Sequence, residues 1–192
     1  MSAIRYALKE WAVICRALAE GRQALILRKG GVAEEGGEFR LEHTRFWLYP
    51  TFVHQQEGGI QTEARPLLEA AEANRPVAGH VRLSHFAEVD GVYHVHDIGS
   101  VLRLHTLHLW SMETAANRFA YRAPGLYVLP VRVFRAGRSH DLPETPAFAG
   151  CKSWVDLGHD LATGTAEPVL SNEDFGGLRR RLDELLEPSA LA

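Results

Sequence analysis

The amino-acid sequence predicts an α+β domain built on a mixed, largely antiparallel sheet with a few flanking helices. Short β-prone runs bounded by glycine, proline or aspartate recur along the chain, and helix-forming stretches lie at residues 63–73 and after Ser171. Hydrophobic residues make up 46% of the 192 positions, which is enough to bury a substantial core. We therefore expect one domain over residues 1–192, whose acidic part at residues 141–192 ends in a helix. The sequence does not decide whether the sheet closes into a barrel.

Residues 9–31 contain two apolar runs on either side of a turn signal at residues 19–22. Two sets of side chains alternate along residues 13–18, and residues 24–27 form a short apolar run, so the pattern favours a β-hairpin. An amphipathic helix over residues 7–19 is the alternative, because four apolar side chains recur at spacings of three and four: Leu8, Trp11, Cys15 and Leu18.

The second apolar run ends on a cationic pair, Arg28-Lys29, followed by Gly30-Gly31. Glycines free the backbone to turn, and exposed N–H groups beside two cations make an anion-binding turn. Charge next to glycines is also common at the edge of a sheet, so a solvated strand end is the alternative.

The next segment predicts a turn and a strand. Gly36-Gly37 indicate the turn, and residues 39–41 begin a β-prone stretch. Residues 45–49 are rich in aromatic side chains and continue it until Pro50, which cannot donate to a sheet ladder.

A helix and a hairpin follow. Residues 63–73 have helix-forming composition, with Pro66 acceptable in the first turn. Residues 77–89 and 92–98 flank Asp90-Gly91, a dipeptide typical of tight hairpin turns. This hairpin is the clearest local prediction in the sequence.

The third quarter of the chain mixes strand and helix signals. Residues 101–110 are ambiguous, whereas Ser111 is a suitable N-cap for a short helix that ends at Phe119. Residues 126–134 predict a buried strand. Its interior Pro130 indicates an edge position or a bulge.

The last part predicts a loop over residues 136–150, a strand at residues 153–157 and a terminal helix. Ser171, with Asp174 three residues later, resembles a capping box. The apolar stripe of this helix consists of Leu178, Leu182 and Leu185.

Charge is unevenly distributed although the net charge is only −3. Residues 101–140 hold six arginines and one acid, whereas residues 141–192 hold ten acids and four cations. Such segregation favours an anionic ligand or nucleic acid at the basic surface, with the acidic part folded over it. No apolar segment is long enough to span a bilayer, so we expect a cytoplasmic protein without a membrane partner. Cys15 and Cys151 are expected to be buried thiols.

Five segments in chain order resemble the domain of unknown function 1802 family of bacterial and archaeal proteins: ALKEWAVICRAL, GRQALILRKGG, RFWLYPTFVHQ, RFAYRAPGLYVLPVRVFR and GCKSWVDL. The resemblance covers nearly the whole chain and implies no reaction.

A partial match to the RNA-associated ASCH and PUA-like barrels concerns their G-x-K-x-x-E-x-R pattern, which lies beside a nucleic-acid or nucleoside cleft. Gly21 and Arg28 match it, but Gln23 replaces the lysine and Ile26 the glutamate. Motifs of P-loop, nucleophile-elbow or dinucleotide-binding type do not occur, so the sequence leaves open whether the chain is an enzyme.

Histidines are concentrated between positions 80 and 108. His94 and His96 would lie on one face of a strand about 7 Å apart, a spacing that suits one metal ion, and Asp97 follows directly. The alternative function is therefore a metal-dependent phosphoester hydrolase with a divalent metal as cofactor. Histidines without a metal are the simpler interpretation.

The leading hypothesis is a binding module for RNA or a nucleotide that needs no cofactor and uses a cleft of basic and aromatic side chains. Each candidate combines a hydrogen-bond donor or cation with an aromatic ring or a turn, as in sites that contact phosphates and stack bases. These residues are Arg28, Lys29, Arg45, His54, Gln55, Arg118, Tyr121, Lys152 and Trp154. The sequence leaves the oligomeric state open.

Overall fold

The computed structural model describes residues 2–29, 41–150 and 152–186, and within these ranges the chain forms eight strands and five α-helices. In chain order they are β1 (Ala3–Trp11), α1 (Ala12–Ala19), β2 (Leu25–Arg28), β3 (Arg45–Thr51), α2 (Arg65–Ala73), β4 (His80–Val89), β5 (Tyr93–Val95), α3 (Ile98–Arg103), α4 (Met112–Ala120), β6 (Leu126–Pro143), β7 (Trp154–Ala162), β8 (Glu167–Pro168) and α5 (Asn172–Leu186).

The strands form one mixed sheet in the order β2-β6-β4-β3-β1-β7, and β5 and β8 pair with β6 outside this path. β1 and β3 run parallel, whereas the other pairs formed by the described strands are antiparallel. The path is open rather than closed, because β2 and β7 stand at its two ends. The predicted α+β class and largely antiparallel mixed sheet are therefore confirmed.

Both faces of the sheet are buried. Along β3, Phe46 and Leu48 belong to the hydrophobic core that includes α1 and α4, whereas Trp47 and Tyr49 belong to a second core formed with β4 and β7. Successive side chains of a strand point to opposite faces, so one apolar run supplies both cores. This explains why residues 45–49 are continuously apolar or aromatic after Arg45.

The hairpin predicted for residues 9–31 is wrong. β1 ends at Trp11, α1 follows at once, and β2 pairs with β6 instead of with the preceding run. The helical alternative is correct only for residues 12–19. α1 is buried on most of its surface, so its apolar residues show no clear stripe. Gly21, with φ of 70°, adopts the left-handed conformation that commonly follows a helix end.

The hairpin predicted around Asp90-Gly91 is also wrong. β4 reaches Val89 opposite Val131, and β5 resumes at Tyr93 opposite Val128 on the same long strand. Four steps on one side thus match three on the other, which is a bulge in a continuing pairing rather than a turn. Asp90-Gly91 therefore lie in a bulge and not in a hairpin turn.

The sequence predicts either an edge position or a bulge for Pro130, and the structure places it beside this bulge. Its carbonyl accepts a hydrogen bond from the Asp90 N–H at 2.9 Å. The N–H that proline lacks would point to the same side, where the bulge interrupts the regular ladder. β6 then continues to Pro143, and the loop predicted from residue 136 begins only after that strand. Pro50 likewise lies inside β3, which extends one residue beyond it.

The helix predictions at residues 63–73 and after Ser111 and Ser171 are confirmed. Pro66 stands in the first turn of α2. The hydroxyl oxygen of Ser111 accepts from the Thr114 N–H at the start of α4, and that of Ser171 accepts from the Asp174 N–H at the start of α5. The ambiguous residues 101–110 contain the end of α3 and a short 3-10 helix.

Three predictions concern residues outside the described ranges: the anion-binding turn at Gly30-Gly31, the turn at Gly36-Gly37 with a strand start at residues 39–41, and the burial of Cys151. Leu41, the last residue of that strand start, is described and is not in a strand. Cys15 is buried as expected. Of the helices described, none combines the length and the apolar character required to cross a membrane.

Candidate functional site

The parallel strands β1 and β3 end at the same edge of the sheet, with Lys9 opposite Tyr49 and Trp11 opposite Thr51. The carboxyl ends of adjacent parallel strands commonly border ligand sites, because the chain leaves the sheet there and opens a crevice. A cavity of about 640 Å³ lies at this edge and is lined by residues from both strand ends.

The lining of this cavity, which we call the strand-end cavity, is predominantly cationic. Its charged side chains are Lys9, Arg28, Arg75, Arg118 and Lys152 against Glu10 and Glu144. Its aromatic side chains are Trp11, Tyr49, Phe52 and Phe148. Five cations against two carboxylates attract an anion, and the aromatic rings give apolar surface for a planar group.

Arg28 and Glu10 form the ion pair of the cavity. Glu10 is only 3% exposed, and its Oε1 accepts from the Trp11 N–H at 2.9 Å. Arg28 Nη1 donates to the Lys9 carbonyl at 3.1 Å and lies 3.5 Å from Glu10 Oε2. The pair joins the end of β2 to the end of β1.

Arg118 brings a second guanidinium to the same place from α4. Its Nη1 donates to the Leu27 carbonyl at 3.2 Å, and its guanidinium carbon lies 3.6 Å from the centre of the Trp110 ring. Burial lowers the pKa of Arg118, the charge of Glu10 acts in the opposite direction, and Arg28 adds to the lowering. An arginine remains charged under such a shift, so the cavity keeps this cation.

The mouth of the cavity carries exposed apolar and cationic groups. Val53 is 67% exposed and Val77 is 73% exposed. Next to these valines in the sequence, Phe52 and Arg75 are in contact, with the Arg75 guanidinium carbon 4.6 Å from the centre of the Phe52 ring. His54 adopts φ of 64°, a left-handed conformation that costs energy for a non-glycine residue and is often found at functional sites.

The structure thus brings four of the nine predicted residues to one cavity: Arg28, His54, Arg118 and Lys152. Lys152 is exposed at the mouth, just before β7. The other five lie elsewhere, for identifiable reasons.

Lys29 and Gln55 have structural roles. The Lys29 ammonium donates to the carbonyls of Phe119, Ala123 and Gly125, where α4 ends and the chain turns into β6. Gln55 Oε1 accepts from the Val13 N–H in the first turn of α1 at 2.8 Å. Each side chain therefore satisfies backbone groups at a helix end.

Arg45, Tyr121 and Trp154 do not line the strand-end cavity. Arg45 forms an ion pair with Glu88 at 2.9 Å on the neighbouring strand. Tyr121 is 47% exposed at the end of α4. Trp154 packs edge-on against Phe46 with ring centres 5.1 Å apart, so this partly buried side chain covers the hydrophobic core.

Sequence reasoning missed Lys9, Glu10 and Trp11, which supply the deep wall of the cavity. These three residues stand next to each other at the end of β1. Because the stretch was assigned to a hairpin or a helix, their position at the end of a strand was not recognised. A charged pair directly after an apolar run and before helix-forming residues was the available signal.

His94 and Asp97 of the predicted metal site contact other protein groups. The His94 ring stacks on Tyr127 with centres 4.0 Å apart and lies 3.9 Å from the His96 ring. Asp97 Oδ2 accepts from the Ser100 N–H at 2.7 Å as the N-cap of α3. This backbone hydrogen bond, the largest influence, and one from the Ser100 hydroxyl lower the pKa of Asp97. Among the residues that the structure describes, no group of three or more histidine, cysteine, aspartate or glutamate side chains is placed to hold a metal ion. The metal site stays a prediction.

The family model for a domain of unknown function, DUF1802, matches residues 7–181. The chain belongs to this family. The match begins within β1, includes the whole of β3 and ends within α5. No curated protein matches the chain.

The DUF1802 chain is also similar to solved structures of the ASCH protein from Zymomonas mobilis. The protein itself shows a TM-score of 0.46 and 13% identity, over 91% of this chain and 93% of that chain. A serine-to-alanine mutant and a tyrosine-to-phenylalanine mutant each show a TM-score of 0.48 and 12% identity, over 91% of this chain and over 94% and 96% of theirs.

Of the motif positions, Arg28 alone lines the strand-end cavity. Gln23 is buried and its Oε1 accepts from the Leu109 N–H at 2.9 Å. Ile26 is fully buried in the core. The carboxylate near Arg28 is instead Glu10, which comes from β1.

Proposed function

We propose that the strand-end cavity binds a nucleotide or a short stretch of single-stranded RNA. The observation that carries the proposal is the meeting of Arg28, Arg118 and Lys152 with the aromatic rings of Trp11 and Phe52 around one cavity. Cations contact phosphate, and aromatic rings stack on bases of any sequence.

The phosphate belongs at the mouth, where Lys152 is exposed and Arg75 lies over Phe52. Exposed cations can contact a phosphate while they remain largely hydrated, so the desolvation cost is small. Salt screens their attraction for the phosphate. The base belongs deeper, beside Trp11, where apolar surface and buried polar groups meet.

The test is equilibrium binding of a fluorescein-labelled single-stranded RNA decamer, followed by fluorescence anisotropy. Lys152→Glu reverses a charge at the mouth, so its affinity should fall at least about tenfold and the dependence on salt should become weaker. Arg138→Glu is the matched control, because it reverses an exposed cation on β6 that does not line the cavity. Equal affinities of both variants and the unmodified protein would contradict the proposal.

A further inference from the structure

Glu10 is the unusual group of the strand-end cavity. Its side chain is 3% exposed, yet Oε2 has no hydrogen-bond partner in the described structure. Arg28 Nη1 lies 3.5 Å from Oε2, which is longer than the roughly 2.8 Å of a charge-assisted hydrogen bond. Because a buried carboxylate is costly to leave unsatisfied, its unused acceptor capacity needs an explanation.

Charge balance accounts for Glu10 only in part. Its negative charge opposes the cations of Arg28 and Arg118. The other acid that lines the cavity, Glu144, is exposed and accepts from the Tyr49 hydroxyl at 2.6 Å. The cavity thus contains an exposed carboxylate that is bonded to Tyr49 and a buried carboxylate whose Oε2 has spare acceptor capacity.

We infer that Glu10 and Arg28 select a guanine base, an assignment that rests on the proposed nucleotide-binding function. The pairing edge of guanine presents one carbonyl acceptor followed by two N–H donors. A guanidinium next to a carboxylate offers the matching order, with donors for the carbonyl and two oxygens for the two N–H groups. Adenine, cytosine and uracil each present a single donor position toward such a carboxylate.

Trp11 supports the same orientation. Its backbone N–H holds Glu10 Oε1 at 2.9 Å, and its ring packs on Trp110 with centres 4.7 Å apart. The carboxylate and the ring of Trp11 are therefore fixed relative to each other. A base that lies against the ring would direct its edge along the same wall of the cavity.

The experiment measures dissociation constants of GMP, IMP, AMP, CMP and UMP for the full chain by isothermal titration calorimetry. IMP differs from GMP only by the amino group, so loss of one hydrogen bond to a charged acceptor should weaken binding about tenfold. AMP, CMP and UMP should bind at least as weakly as IMP.

Glu10→Gln replaces one acceptor oxygen by a donor and should reduce the preference for GMP over IMP to less than about threefold. Glu69→Gln, the matched control, should keep that preference, because it changes an exposed carboxylate of α2 that does not line the cavity. Thermal unfolding shows whether each variant is folded, and the nucleotide series on the unmodified protein tests the inference without any variant. Similar affinities for all five nucleotides would overturn the guanine assignment and leave the nucleotide site intact. Binding of none of them would overturn the guanine assignment, whereas the proposed function fails only if the RNA decamer does not bind either.

Discussion

Arg28 and Lys29 are neighbours in the sequence but contribute to different parts of the molecule. Adjacent residues at a strand end project to opposite sides. Arg28 therefore meets Glu10 in the cavity, whereas the Lys29 ammonium meets the carbonyls beyond α4. The sequence identified the cationic pair but not this division, because it placed β2 opposite the wrong partner.

We expect single substitutions to separate these two roles. Lys29→Ala removes hydrogen bonds from a charged donor, so the free energy of unfolding should fall by about 1–2 kcal/mol while RNA affinity is retained. Arg28→Ala should weaken RNA binding at least about tenfold. Urea denaturation and fluorescence anisotropy measure the two quantities. Loss of affinity in Lys29→Ala with unchanged stability would contradict the assignment.

His108 is a buried histidine that the proposed function does not use. It is 2% exposed, and neither ring nitrogen makes a hydrogen bond of normal geometry in the described structure, although the Trp110 backbone acts weakly to raise its pKa. Burial lowers its pKa to about 4, and the charges of His105 and Arg118 add to the effect. The pKa of His85 is also lowered to about 4, by burial and by Arg135.

These histidines predict acid sensitivity. An unfolded histidine titrates near pH 6.5, so protonation favours the unfolded chain as soon as the pH falls below that value. The stabilisation is complete above about pH 6.5 and is lost as the pH falls toward 4. From His108 alone we expect a loss of about 1–2 kcal/mol in the free energy of unfolding between pH 7 and pH 5.

His108→Leu should remove this part of the pH dependence, measured by urea denaturation at the two pH values. His159→Leu, which changes an exposed histidine of β7, should leave the dependence as it is. If His108→Leu and the unmodified protein lose the same free energy between the two pH values, His108 is not the acid-sensitive group.

At the level of the elements, Trp11 owes its position to a glycine in the segment that follows β3. A Cβ atom on Gly59 would lie 2.6 Å from two atoms of the Trp11 ring, which is shorter than any normal contact. The same addition at Gly58 would meet no atom within 4 Å. The two adjacent glycines therefore form a matched pair for testing the wall of the cavity.

Gly59→Ala should displace the Trp11 ring, lower the free energy of unfolding by about 1–3 kcal/mol and weaken ligand binding. Gly58→Ala should change neither quantity measurably. Tryptophan fluorescence reports the displacement, and calorimetry reports both energies. Altered fluorescence with unchanged affinity in Gly59→Ala would show that Trp11 is not part of the binding wall.

Elements with local signals were predictable from the sequence, and those fixed by distant pairing were not. The caps at Ser111 and Ser171 gave the starts of α4 and α5, because capping involves only the next three residues. The Asp90-Gly91 signal failed because β6 pairs with both β4 and β5. A turn dipeptide predicts a reversal of the chain only if the residues on its two sides pair with each other. Here both sides pair with a third, longer strand instead.

In the whole molecule, the division of charge along the chain is partly cancelled by folding. Arg135 on β6 pairs with Glu167 of β8 at 2.7 Å, so the acidic part does cover part of the basic stretch. Arg118 alone among the six arginines of residues 101–140 lines the strand-end cavity. The cationic site is instead assembled from the ends of β1 and β2, a helix and two loops, which no single stretch of sequence could reveal.

The proposed function places a nucleotide base and its phosphate in the strand-end cavity. Photo-crosslinking of a 4-thiouridine-labelled single-stranded RNA, followed by mass spectrometry of the crosslinked peptides, tests it most directly. We predict crosslinks in the segments that contain Trp11, Phe52 or Lys152, and their loss when unlabelled RNA competes. Crosslinks confined to the surfaces around Arg45 or Tyr121, or no crosslink at all, would contradict the claim.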